Sequence, residues 1–265
     1  PVNDSAKNEG LLGCITYKVG MVTAIIKDTT DKSMTSGKKI AVPVTILEIP
    51  PMKVYSVRFY KNKKVIKEII VSHDKELKRI LRIPKNTTHD LSKIPDGYDD
   101  IRLLIYTVPK EIELKKTPDL LEIAIHAKDK IALVKSLIGK EISFADMAKT
   151  LLVDVRGVTK GKGFQGPVKR FGIGLRQHKS EKGIRKAGSI GPWHPAHVTF
   201  RTPMAGQLGL FRRIQYNTLI IASSTIKEKN INPMSGFKHY GKITNSYVIV
   251  KGSVQGPPKR QIIIT

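Results

Sequence analysis

Cysteine occurs once in the 265 residues, at Cys14, which rules out a disulfide framework and fits a reducing compartment. No run of 18 apolar residues occurs, so no segment is expected to span a bilayer. No secretory leader pattern is visible, and the chain opens on Pro1 rather than Met, as expected if its start has been processed or is missing from the sequence given. Acids are scarce: 22 Asp and Glu face 47 Lys and Arg, giving a net charge of +25 and a pI near 10.1. A charge of that size repels itself unless it meets a polyanion. Nucleic acid is the first expectation and an anionic membrane surface the second. Aromatic residues make up 6%, and Trp193 is the single tryptophan. Hydrophobic residues still reach 40%, enough for a packed core in one large domain or two modest ones.

The charge is concentrated. Thirteen Lys and Arg lie between Arg156 and Arg213, interrupted by one acid, Glu181, and eleven glycines lie between Gly157 and Gly209. A run so cationic and so rich in glycine cannot build a packed core of its own. Glycine lets the backbone approach a phosphate closely, and Arg and Lys heads supply the counter-charge. A loop of this length with little regular structure argues against a self-contained domain and makes sense if RNA orders it.

Around this stretch the pattern is mostly β. Ile15–Asp28 is β-rich, with Gly20 marking a bulge or hairpin. Ile40–Ile49 is a second strand, closed by Pro50 and Pro51, and Lys53–Lys61 alternates with period two, as a half-buried strand does. These three are expected to share a small antiparallel barrel or sheet. From about Lys61 the texture changes to strands over 64–72, 101–109 and 120–127. A helix is predicted over His73–Ile83, stopped by Pro84, and another over Lys128–Gly139 with Ile131, Val134 and Ile138 on one face. A short helix is predicted over Ser143–Ala148 with Ser143 as N-cap. Leu151–Thr159 is an alternating strand, and β pattern returns over Asn217–Ser223, Asn245–Val254 and the terminal QIIIT.

Enzymatic motifs are weak. Gly161 to Gly166 matches GxGxxG, but a dinucleotide site needs a helix opening at the glycines, and Pro167 with the later glycines argues against one. His194 and His197 have HxxH spacing, yet zinc needs two further ligands and the lone cysteine is distant. Hydrogen bonding or stacking in a tight turn accounts for them, as does contact with RNA. No nucleophile elbow and no paired carboxylates accompany the basic stretch. Trp193, framed by proline and glycine, is either a small local plug or an aromatic anchor at the tip of an extended loop.

Several stretches identify the chain as similar to a known family. VTKGKGFQGPVKRFG (158–172), GSIGPWHPAHV (188–198), MAGQLG (204–209), VPVTILEIPPMKV (42–54) and YVIVKGSVQGPPKR (247–260) resemble the third protein of the large ribosomal subunit, a universal family. The likeness is to its archaeal and eukaryotic branch, nearer the archaeal form. It covers nearly the whole chain, although 62–140 matches only loosely, through LIGKEI (137–142). Residues 1–12 carry one Lys and no Arg, where this branch usually begins with a basic tail, and Lys182 stands where eukaryotic members often have histidine.

The resemblance implies a mainly β fold with an α/β insertion. A translation-protein type antiparallel β-barrel would be built from 1–61 and 141–265, with 62–140 inserted and 160–213 forming a long irregular basic extension. It implies no enzymatic activity and no cofactor, with Mg2+ present only as part of the rRNA environment. Implied partners are large-subunit rRNA, bound directly near its 3′ end in early subunit assembly, and neighbouring proteins of the fourteenth and twenty-fourth-related families. No membrane and no homo-oligomer are implied, and the location is the cytoplasmic ribosome. The extension's tip would approach the peptidyl transferase centre without doing its chemistry. The rRNA-binding set is then Lys160, Lys162, Lys169, Arg170, Arg176, Lys179, Lys182, Arg185, Lys186, Trp193, His194, His197, Arg201, Arg212 and Arg213.

Overall fold

The computed structural model describes residues 9–83, 94–95, 97–144 and 151–265. In chain order the strands begin with β1 (Gly10–Leu11), β2 (Cys14–Lys27), β3 (Lys39–Ile49), β4 (Met52–Lys61) and β5 (Lys64–Ile70). They continue with β6 (Asp100–Thr107), β7 (Leu120–His126), β8 (Leu152–Val158), β9 (Phe164–Gln165), β10 (Gly206–Gln207), β11 (Arg212–Thr225), β12 (Ser246–Lys251) and β13 (Gln261–Ile264). Two α-helices are described, α1 (Lys130–Leu137) and α2 (Pro167–Phe171), with a 3-10 turn at Lys75–Arg79.

Six strands close a barrel in the order β11-β12-β3-β2-β13-β8. Its interior is filled by β-branched and aliphatic side chains, among them Leu47, Val155, Val248, Ile262 and Ile264, all fully buried. The expected irregularity at Gly20 is a bulge. The β2–β3 register shifts between Lys18 and Gly20, and Val19 is the extra residue, fully buried.

Five further strands form a second antiparallel sheet, ordered β1-β7-β6-β4-β5. Here the structure corrects the sequence reading: Lys53–Lys61, expected beside β2 and β3, lies in β4 between β6 and β5. Pro50 and Pro51 explain the departure. A proline has no N–H for a ladder, so the chain cannot fold back on β3 as a continuous hairpin. Instead Met52 pairs with Thr107 across the second sheet. The strand is also more than half-buried, with only Lys53, Arg58 and its last two residues partly or fully exposed. The sheet and the barrel share one hydrophobic cluster, in which Val57, Phe59, Leu103 and Ile105 join Ile15, Leu47 and Ile264. A polar link crosses the same boundary: the Tyr17 hydroxyl on β2 lies 3.0 Å from Thr107 Oγ1 and 2.6 Å from Asp119 Oδ2.

The helix predicted over His73–Ile83 is only the five-residue 3-10 turn, with Leu77 buried and Ile80 exposed. Asp74 sits at its N-cap but makes no capping bond, because its carboxylate accepts from the Tyr106 hydroxyl instead. Pro84, and most of the helix expected at Ser143–Ala148, lie outside the described residues. Helix α1 forms as its periodicity predicts. Asp129 accepts from the amides of Ile131 and Ala132, Val134 is buried, and Gly139 takes the left-handed conformation (φ 76°) just past the end.

Two compact units divide the chain. One is residues 1–157 with 214–265; the other is Val158–Arg213.

Candidate nucleic-acid interface

The second unit holds the basic stretch. Its two legs run antiparallel. Thr159 donates its amide to the Phe211 carbonyl (3.0 Å), Lys162 to Leu208 (2.9 Å) and Leu208 to Gly163 (2.9 Å). Strands β9 and β10 extend the ribbon by pairing Phe164 with Gln207 and Gln165 with Gly206. The legs meet so closely at Gly209 that it has φ 73°, and a Cβ there would lie 1.9 Å from the Lys160 carbonyl oxygen. Glycine is required on both counts.

Helix α2 follows β9, contrary to the expectation that Pro167 would prevent a helix there. Proline is at the first helical position, where its missing N–H costs nothing and its fixed φ is already helical. Gly172, left-handed at φ 69°, ends it after five residues. None of the five is buried, so this is a surface turn and not the glycine-opened helix of a dinucleotide fold.

Of the fifteen residues in the expected RNA-binding set, thirteen are exposed. Arg170 and Arg176 are half-buried and turn inward. Arg170 donates to the carbonyls of Gln207 (3.1 Å) and Met204 (2.9 Å), strapping α2 to the returning leg. Its guanidinium also lies over the Phe171 ring at 4.9 Å. Arg176 donates its side chain to the carbonyls of Ala187 and Gly188, closing the 176–188 lobe. These two cations hold the extension together. Lys160, Lys162, Lys169, Lys179, Lys182, Arg185, Lys186, Arg201 and Arg212 are exposed and join no ion pair among the described residues. Arg213 is exposed with its guanidinium 5.1 Å from the centre of the Phe211 ring.

Trp193 is 87% exposed, so it plugs no local core. Its nearest ring partner is the exposed His194, edge-on at 6.5 Å between centroids. His197 donates its amide to the Pro195 carbonyl (2.7 Å) in the turn between them. No group of three or more His, Cys, Asp or Glu able to hold a metal occurs among the described residues.

The sequence reading missed the apolar share of this surface. Phe164, Phe171, Ile190, Val198, Phe200 and Leu210 are all exposed, interleaved with the cations. From Val158 to Arg213 only Gly209 is buried. An aromatic residue in a stretch that cannot form a core was the available signal, since it has nothing of its own chain to pack against.

A family model for ribosomal protein L3 matches this chain over two overlapping segments, 1–82 and 58–265. The chain belongs to the ribosomal protein L3 family. Curated L3 relatives are named large ribosomal subunit protein uL3. That of Methanocaldococcus jannaschii is 42% identical over 94% of this chain and 79% of the relative. Those of Methanococcus aeolicus and Methanobrevibacter smithii are each 39% identical, covering 96% and 100% of this chain and 80% and 83% of the relatives. All three are archaeal-type proteins, in keeping with the branch the motifs indicated. As an L3 protein the chain is a structural constituent of the large ribosomal subunit and not an enzyme, and it works on the ribosome in the cytoplasm. Its partners are accordingly rRNA and other ribosomal proteins.

Proposed function

We propose that this L3 protein binds large-subunit rRNA directly, near its 3′ end, and so helps start subunit assembly. The extension Val158–Arg213 is the principal contact, with exposed Lys and Arg on phosphates and Trp193 at the tip, directed toward the peptidyl transferase centre. The rest of the chain is scaffold: the closed barrel and the five-stranded sheet that shares its hydrophobic cluster. The proteins beside it belong to the fourteenth and twenty-fourth-related families. It acts as one copy per subunit, and it needs no cofactor beyond the Mg2+ that the RNA itself carries.

One observation supports this reading most. A unit with twelve Lys and Arg and a single acid leaves every residue but Gly209 at least partly open to solvent, aromatics included. Cations on glycine-spaced backbone suit phosphate, and exposed rings suit unstacked bases or the walls of a folded RNA.

Filter binding across a salt series tests it, with the 3′ domain of large-subunit rRNA and a scrambled RNA of equal length as probes. Tight binding that prefers the native domain is expected, with log affinity falling by about 0.9 per phosphate contact per log unit of salt on duplex. Equal binding to both probes would reduce the protein to a general polyanion binder.

A further inference from the structure

Strands β2 and β3 outrun the barrel. Strand β13 pairs β2 only over Cys14–Tyr17, and β12 pairs β3 only from Val44 to Ile49. Beyond these points β2 and β3 pair with each other alone among the described strands, out to Lys27 opposite Lys39. On the inner face of this two-stranded ribbon Ala24, Ile26 and Ile40 are half-buried and Val42 is buried. On the outer face the cross-strand pairs Thr23–Pro43, Ile25–Ala41 and Lys27–Lys39 are all exposed.

Lys27 and Lys39 are therefore two like charges placed directly opposite on one face. Such a pair has its Cβ atoms about 5 Å apart and works against the ribbon. Nearby acids do not relieve it. The Asp28 carboxylate is taken by the loop that follows: it accepts from the Thr30 amide (2.9 Å), the Ser33 hydroxyl (3.0 Å) and the Thr35 hydroxyl (2.5 Å). Those bonds, with the Thr35 hydroxyl foremost, hold its carboxyl below the usual range, so it stays an internal anion that braces the turn. Asp31 is exposed and joins no ion pair among the described residues. Lys32 and Lys38 add two more exposed cations at the same tip. The result is a braced, cation-tipped ribbon ending in an unneutralised pair, within the barrel unit and separate in sequence from the extension.

We propose that the tip of the β2–β3 ribbon is a second RNA contact, in which Lys27 and Lys39 share a backbone phosphate of structured rRNA. The inference rests on the rRNA-binding function proposed above. An anion between two opposed ammonium groups turns their repulsion into a binding term. The low outer face of Thr23, Ile25, Ala41 and Pro43 lets the ribbon lie against a shallow sugar-phosphate surface such as the minor groove of an A-form helix. This contact differs in kind from the extension, because its turn is fixed by Asp28 before RNA arrives.

The test uses the full chain with Lys27→Gln and Lys39→Gln together, and the same two RNA probes. The expected result is a salt-dependence slope lower by about 0.9 for the native rRNA domain, as the shared phosphate contact is lost. Thermal stability of the free variant should be equal or higher, because the opposed charges are gone. A charge-matched control, Lys128→Gln with Lys135→Gln, should leave the slope unchanged. An unchanged slope in the ribbon variant, or an equal fall in the control, overturns the proposal. Unchanged RNA binding with impaired incorporation into the subunit also overturns it and assigns the tip to a protein neighbour. If the unaltered chain shows no preference for the native domain, the proposed function has failed instead, and that outcome is read before any variant.

Discussion

The carbonyl oxygen of Lys160 stands where residue 209 would otherwise carry a side chain: a Cβ built on Gly209 falls 1.9 Å from it. The two legs of the basic extension are held together at this point, because any larger residue must part them. Gly209→Ala should therefore open the ribbon at its base. The left-handed backbone alone costs about 1–2 kcal/mol with a Cβ present, and the clash adds to it. Faster tryptic cleavage after Lys160 and Lys162 is expected, with the circular dichroism of the barrel unchanged. Loss of barrel structure would show that the extension is coupled to it.

Trp193→Ala should leave stability within about 0.5 kcal/mol of the parent, since an exposed ring contributes little to folding. Affinity for the isolated 3′ domain should fall only slightly. The defect should appear in peptide-bond formation by subunits carrying the variant. A marked drop in melting temperature would mean that the ring is covered in the free protein.

Glu48 is fully buried on β3 and serves as the anchor of the segment before β12. Its Oε1 accepts from the amides of Thr244 (2.8 Å) and Asn245 (3.2 Å), and its Oε2 from the Tyr240 hydroxyl. Burial, with the Glu48 charge beside it, pushes the Tyr240 hydroxyl well above the ordinary tyrosine range. Glu48→Ala leaves these donors without an acceptor and should cost about 2–4 kcal/mol in urea unfolding. Glu48→Gln keeps an oxygen for the two amides and should recover part of the loss. Equal losses for both would mean that the charge matters more than the acceptor.

Glu122 supplies the acid-sensitive element of the second sheet. Burial works to raise its pKa. Donors more than offset this: the Tyr60 hydroxyl at 2.7 Å, Arg58 at 2.8 Å and Arg102 at 3.1 Å. The folded value therefore lies below the ordinary 4.5. Stability from this depression is present above 4.5 and is lost as pH falls through the folded value. Glu122→Gln should thus be less stable than the parent at neutral pH, with the gap narrowing in acid. A gap independent of pH would locate the effect in packing.

Strand positions were legible because proline, glycine and period-two alternation act locally. Sheet membership was not. The same alternation in Lys53–Lys61 suits either sheet, and the choice is made by Thr107, more than fifty positions beyond Met52. Proline misled at α2 because a missing N–H matters inside a helix and not at its first residue. The helix expected after His73 shrank because Tyr106 claims the carboxylate that would have capped it. In the extension, charge was plain from sequence, but not which cations turn inward. Arg170 does so because the returning leg brings the Met204 and Gln207 carbonyls within its reach. The opposition of Lys27 and Lys39 was equally invisible, since it depends on where the β2 bulge sets the register.

Strand β13 lies between β2 and β8, so the seam of the barrel is sewn by residues 261–264. Every other strand of the ring precedes it in the chain. During synthesis from the N-terminus, the cationic segment is made in full while the ring it springs from is still an open sheet. The pairing of Ile264 with Cys14 joins residues far apart in sequence, the kind of distant contact that forms late and slowly. For that interval the nascent protein combines a sticky unpaired edge with a highly charged arm. Its safety then depends on how soon the arm is shielded, which makes timing in the cell as much a requirement of this architecture as equilibrium stability.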